Sequence, residues 1–146
     1  MFRQLVDGME AINARLIHRD IKPDNIVVSG NDLKITDFGL SKLVQEATRT
    51  STFKGFGCLQ SLAPEAWMSE KNTTQMDIYS MGLVFYEIAT LRYPYSVAGS
   101  DPHLWKEAHL YQSVSRPEKH NPNIGQIVSQ VIMGMLEKKP SGRPKD

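Results

Sequence analysis

The sequence has a single cysteine, Cys58, which excludes an intrachain disulfide framework and any multi-cysteine zinc site and suits a reducing compartment, the cytoplasm or alternatively the nucleus. Neither charge dominates. Seventeen Lys and Arg face 16 Asp and Glu, a formal net charge of +1, so no broad field draws the chain to nucleic acid or to an anionic membrane. Long apolar runs are also missing: Arg3, Asp7, Glu10 and Arg15 interrupt Met1 to Ile17, which leaves neither a signal-peptide core nor a membrane span. There are no internal repeats and no low-complexity segment. What is present is a 146-residue chain with 40% hydrophobic residues, enough for one domain around one core.

Apolar residues Phe2, Leu5, Val6, Met9 and Ile12 recur at steps of three and four, which predicts an amphipathic helix. No capping residue precedes it, so the chain is expected to start inside or just before a helix. The polar stretch from His18 to Asn25 contains Pro23 and reads as a loop. Two β-rich triplets, Ile26-Val27-Val28 and Leu33-Lys34-Ile35, flank Ser29-Gly30-Asn31-Asp32, the composition of a hairpin turn. From Ser41 to Ser61 the chain is polar and aperiodic, a long loop of the kind that carries function. Asp77 to Ala89 is apolar on almost every side and predicts a central helix buried all round. Further helices are expected over Pro102 to Val114 and Ile124 to Leu136.

A hairpin sets the start of its first strand beside the end of its second, about 4.8 Å across, so Asn25 and Asp37 become neighbours. Two hard oxygen ligands with room for water and phosphate oxygens suit Mg²⁺. Upstream, Asp20 and Lys22 stand two residues apart and project to one side of an extended loop, each favouring the charged form of the other. That set suits phosphoryl transfer, where the protein positions reactants and neutralises charge. Asp20 would take the acceptor proton, Lys22 would stabilise developing charge, and Asn25 and Asp37 would hold the metal.

His18-Arg19-Asp20-Ile21-Lys22-Pro23-Asp24-Asn25 resembles the catalytic loop of protein kinases, and Asp37-Phe38-Gly39 resembles their DFG motif. Ala63-Pro64-Glu65 is similar to the APE motif, Asp77-Ile78-Tyr79-Ser80-Met81-Gly82 to the start of the central helix, and Arg143-Pro144 to the late arginine site, all in the family's order. The resemblance covers the whole chain. It implies a mainly α fold, the C-terminal lobe of a protein kinase with one small antiparallel β-hairpin carrying the catalytic and DFG loops. It further implies that residues 1–146 form a partial kinase domain without the N-terminal lobe or the last helix. Lys22 in the pattern DxKPxN implies the serine/threonine class, with ATP and Mg²⁺ as cofactors and a protein Ser or Thr hydroxyl as acceptor. By the same resemblance Lys22 also serves cofactor binding, Val27 packs under the adenine ring, and His18 and Phe38 belong to a hydrophobic spine. Arg143 pairs with Glu65, and Arg19 with Lys42 forms a pocket for a phosphate placed by an activating kinase on Thr48, Thr50, Ser51 or Thr52.

Some features depart from the family. Cys58 stands where a threonine is common, Ser61 where a tyrosine is common, and no glycine-rich loop or VAIK-like lysine occurs in these residues. The isolated 146 residues are therefore expected to expose an apolar lobe interface and to be poorly soluble and inactive. A kinase-like regulatory or scaffold protein without catalysis is the rival reading; it would have no chemical need for Asp20, Lys22, Asn25 and Asp37 together. Cys58 reads as a small packed residue, Trp67, Trp105 and the seven methionines as core or packing residues, and His103, His109 and His120 as surface residues.

Overall fold

The computed structural model of the chain describes residues 2–43 and 58–145. Roughly half of the described residues are helical. Helix α1 (Phe2–Asn13) buries Leu5 and Met9 and turns Arg3, Asp7 and Glu10 to solvent, as its apolar spacing dictates. Strands β2 (Ile26–Ser29) and β3 (Asp32–Ile35) pair antiparallel with Ile26 opposite Ile35 and Ser29 opposite Asp32. Gly30 supplies the positive φ of 62° at the first central position of the two-residue turn, the II′ pattern favoured in hairpins. Gln4 of α1 donates to the Asn31 carbonyl at 3.0 Å, pinning the turn to the helix.

Helix α3 (Thr74–Thr90) is the axis of the molecule. It buries Met76, Asp77 and every residue from Tyr79 to Tyr86, so little of its surface reaches water. It ends where Leu91 adopts a left-handed conformation, φ 54°. Helix α2 (Pro64–Trp67), α4 (Pro102–Tyr111) and α5 (Gln126–Met135) pack around it, with Trp67, Trp105 and Ile132 in the shared core. Gly82 lets α3 lie close against α5: a Cβ there would lie 2.8 Å from Met135 Cβ.

Three features differ from expectation. A second antiparallel pairing joins β1 (Leu16–Ile17) to β4 (Lys42–Leu43), two residues from each strand, a span too short to leave a periodic trace in sequence. His109 is fully buried, not at the surface, whereas His103 and His120 are exposed as expected. Met68 is half exposed, although the methionines read as core or packing residues. Thr48, Thr50, Ser51 and Thr52, and the side chain of Lys42, lie outside the described residues.

Candidate active site

The loop after β1 is fixed from below by a buried acid. Asp77, fully enclosed in α3, accepts the backbone N–H of His18 at 2.7 Å and of Arg19 at 2.8 Å. The amide of Asn13, turned to suit its neighbours, supplies a third donor at 2.8 Å. Burial pushes Asp77 up to about 6, while the Arg19 and His18 N–H bonds and the Arg19 charge pull it down, so it is mostly ionised at neutral pH. Arg19 is thereby held at φ 71°, a left-handed conformation that a non-glycine residue keeps only when its surroundings fix it. His18 is buried; its Nε2 meets the Thr36 carbonyl at 3.0 Å, which assigns the proton to Nε2, and burial lowers its pKa.

Above this anchor the structure brings three of the sequence-predicted residues into direct contact. Asp20 is 6% exposed, and its Oδ2 accepts from Lys22 Nζ at 2.8 Å and from Asn25 Nδ2 at 3.0 Å. Asn25 Nδ2 also donates to the Asp20 carbonyl at 2.8 Å, so the amide nitrogen is spent on Asp20 and the amide oxygen is turned away from it. The hydrogen bond from Lys22 to Asp20 raises the lysine pKa and keeps it charged. The other carboxylate oxygen, Asp20 Oδ1, is buried and has no hydrogen-bond partner among the described residues. A carboxylate in the interior with one oxygen tied and one free holds an unused acceptor.

The fourth residue, Asp37, arrives from the far strand. Thr36 donates its N–H to the Asn25 carbonyl at 2.8 Å and its hydroxyl to the same oxygen at 3.2 Å, so Asp37 follows directly on the residue locked to Asn25. Asp37 is exposed and also left-handed, φ 61°, with the Gly39 N–H on its Oδ1 at 3.2 Å. Among the described residues no hydrogen bond or ion pair joins Asp37 to the Asp20 group; the Thr36–Asn25 bonds bring it alongside. Val27, opposite Lys34 in that hairpin, is 47% exposed, and Phe38 lies with its ring 4.9 Å from that of His18. Beside Lys22 a cavity of about 270 Å³ is bounded by Asp24, Cys58, Ser61 and Glu87. At the far end of the segment that begins at Cys58, Arg143 grips Glu65 through two bonds of 2.7 and 2.8 Å, as the sequence resemblance implied.

Sequence reasoning singled out Asp77 only as part of a motif and did not assign its grip on the loop; the available signal was a lone acid at the head of a helix apolar on every side. The left-handed backbone at Arg19 and Asp37 left no sequence trace, since neither residue is glycine.

The family model described as protein kinase domain matches residues 1–145. The chain is 37% identical over 129 residues to a probable serine/threonine-protein kinase of Clostridium acetobutylicum, covering 88% of this chain and 19% of the relative. It is 34% identical over 135 residues to serine/threonine-protein kinase A of Synechocystis, covering 89% of this chain and 26% of that protein. It is 33% identical over 146 residues to the serine/threonine-protein kinase PrkC of Bacillus subtilis, covering 98% of this chain and 22% of the relative. The chain thus spans about a fifth to a quarter of the length of these curated relatives, all bacterial, and a nuclear location finds no support in them. Among the described residues no helix is long and apolar enough to cross a membrane. The chain belongs to the eukaryotic-type serine/threonine protein kinase family.

Proposed function

We propose that these residues carry the phosphoryl-transfer site of an ATP-dependent protein serine/threonine kinase, and that residues 1–146 correspond to the C-terminal lobe of its catalytic domain. The observation that carries the reading is the asymmetry of Asp20: Oδ2 is held by Lys22 and Asn25 while Oδ1 is buried and unengaged among the described residues. A carboxylate so oriented can receive the proton of a substrate hydroxyl without losing its place. Lys22, charged and next to it, offsets negative charge on the group being transferred. The exposure of the apolar side chains Val27 and Phe38, 47% and 45%, supports a surface built to be covered by further structure on the nucleotide side.

The donor set fits magnesium. Asn25 has its amide oxygen turned away from Asp20, and Asp37 offers an exposed carboxylate, two hard oxygens that leave the remaining positions to water and phosphate. Among the described residues no group of three or more His, Cys, Asp or Glu forms a self-sufficient cage, which also suits an ion shared with a nucleotide. Magnesium, when bound, would neutralise phosphate charge and draw electron density from the phosphorus. The glycine-rich loop and the phosphate-binding lysine of the family are not among these residues, so activity is proposed for the full-length protein and not for this segment alone.

The test is Asp20→Asn in the full-length protein. With its oxygen still facing Lys22 and Asn25, the new amide places a donor where Oδ1 offered an acceptor. Transfer from labelled ATP to a protein acceptor should fall by about 10² to 10⁴ with nucleotide affinity kept. Turnover like that of the wild type would overturn the assignment, and label on tyrosine instead of serine or threonine would overturn the class.

A further inference from the structure

The cavity of about 270 Å³ beside Lys22 is lined from two further places, the turn Leu59–Ser61 with the preceding Cys58, and helix α3 with the loop after it. Lys22 bonds Asp20 Oδ2, so whatever fills the cavity lies next to the group assigned to take the hydroxyl proton. The turn closes on itself: the Ser61 N–H and the Ser61 hydroxyl both donate to the Cys58 carbonyl, at 2.9 and 3.0 Å. Those bonds fix the shape of the turn and leave its distance from Lys22 to be set from outside.

Two hydroxyls from other elements reach it. Ser80 Oγ donates to the Ser61 carbonyl at 2.8 Å, and Tyr93 Oη donates to the Gln60 carbonyl. A carbonyl only accepts, so the direction of both bonds is settled. Ser80 is 7% exposed and its Oγ also faces the Met76 carbonyl one turn back in α3, at 3.0 Å, which leaves Ser61 the closer acceptor. Tyr93 follows the end of α3, its ring edge-on to those of Trp105 at 5.7 Å and Tyr95 at 6.2 Å, so packing aims the hydroxyl. Both side chains line the cavity. Both bonds end on backbone carbonyls, so the hold depends on Ser80 and Tyr93 and not on the side chains that the turn carries.

Helix α3 thereby grips the catalytic loop and the turn together. Asp77 takes the N–H groups of His18 and Arg19 and fixes the loop that leads to Asp20 and Lys22. Ser80, three residues on and a neighbour on the same face, holds the Ser61 carbonyl. The offset between the two grips is three residues of a buried helix, a rise of about 4.5 Å.

We propose that Ser80 and Tyr93 are positioning residues whose hydroxyls peg the Leu59–Ser61 turn at a fixed distance from Lys22, and that the cavity held open between them receives the extended chain of the acceptor protein beside its reacting hydroxyl. The pegs stand on the hydrogen bonds above; the place of the acceptor rests on the kinase reading.

The test uses the full-length protein with Ser80→Ala and Tyr93→Phe, each of which removes one hydroxyl and keeps the rest of the packing. Ser129→Ala is the control: it removes a hydroxyl as buried, which donates to Glu118 and does not line the cavity. Amide hydrogen exchange, followed by mass spectrometry on the peptide carrying residues 58–62, should speed up by about three- to tenfold in each peg variant, the equivalent of one net hydrogen bond, and stay unchanged in the control. With casein as the acceptor protein, its KM should rise by a similar factor in both, while kcat stays within about twofold and the KM for ATP does not move.

Exchange that either peg variant leaves unchanged, or that Ser129→Ala raises equally, overturns the pegs. Faster exchange with an unchanged KM for casein, or with an equal rise in the KM for ATP, overturns the acceptor's place in the cavity. If the wild type transfers no phosphoryl group to casein or to itself while exchange behaves as stated, the kinase reading fails, the acceptor half falls with it, and the pegs stand as structure.

Discussion

Arg143→Met should be among the most damaging single substitutions in this chain. The guanidinium has five N–H donors and the structure uses all five: Nε to the Glu137 carbonyl at 2.8 Å, one terminal nitrogen to Glu65 at 2.7 Å and the Gln75 carbonyl at 2.7 Å, the other to Glu65 at 2.8 Å and the Lys138 carbonyl at 3.1 Å. The two side chains are 0% and 2% exposed. Methionine fills much of the volume but leaves the Glu65 carboxylate buried with no countercharge. Breaking one partner of such a pair costs about 3 to 5 kcal/mol, a large share of the roughly 5 to 15 kcal/mol that holds a domain folded. Calorimetry on the full-length protein should show the Tm of the domain falling by about 10 to 15 °C. Replacing both residues, Arg143→Met with Glu65→Met, removes the stranded charge and should recover more than half of that loss. A single variant as stable as wild type, or a double variant losing the sum of both singles, would refute the account of the pair.

Three further outcomes follow from the same structure. Gly82→Ala should destabilise by about 1 to 2 kcal/mol, because the added Cβ meets Met135 Cβ at 2.8 Å and Leu136 Cδ2 at 3.1 Å, and the strain outweighs the helix-propensity gain of at most about 1 kcal/mol; a raised urea midpoint would contradict it. Asp37→Asn should weaken magnesium-dependent nucleotide binding while leaving metal-free binding alone, measured by titration calorimetry, and equal loss in both conditions would mean that Asp37 does not serve the metal. Burial, then Arg143, hold Lys138 down to about 8 against an ordinary 10.5, so between those values the unfolded chain binds more protons than the folded one and stability rises with pH. Above about 10 the buried tyrosines act oppositely, Tyr95 being pushed up to about 12 by burial. Denaturant titrations should therefore show a gain from about pH 8 to 10 that vanishes in Lys138→Met; a gain that survives the substitution would assign it elsewhere.

The parts of the fold written in periodicity were legible. The spacing of Phe2, Leu5, Met9 and Ile12 gave α1, the turn composition at Gly30 gave the hairpin, and the all-round apolar run gave α3. Asp20, Lys22 and Asn25 lie close in sequence and meet in the loop before β2, and the Thr36–Asn25 bonds set Asp37 beside that loop. What escaped was set by tertiary contact. His109 reads as polar beside Glu107, yet Trp105, Ala108 and His109 fall at steps of three and four and share the inward face of α4, where the rings of Trp67, Tyr79, Tyr95 and Trp105 surround it. A neutral imidazole can be buried there because Tyr79 satisfies one nitrogen. The β1–β4 pairing escaped because two residues carry no period, and the left-handed backbone at Arg19 because a remote acid, Asp77, imposes it.

The central claim is that Asp20, Lys22, Asn25 and Asp37 surround one metal-bound phosphate. Its most direct test is the paramagnetic broadening produced when Mn²⁺ replaces Mg²⁺ together with a non-hydrolysable ATP analogue on the full-length protein. The side-chain signals of Asn25 and Asp37 should disappear first and that of Lys22 next, while His109 and Tyr79 stay sharp. Broadening that spares Asn25 and Asp37, or that needs no nucleotide, would contradict the account.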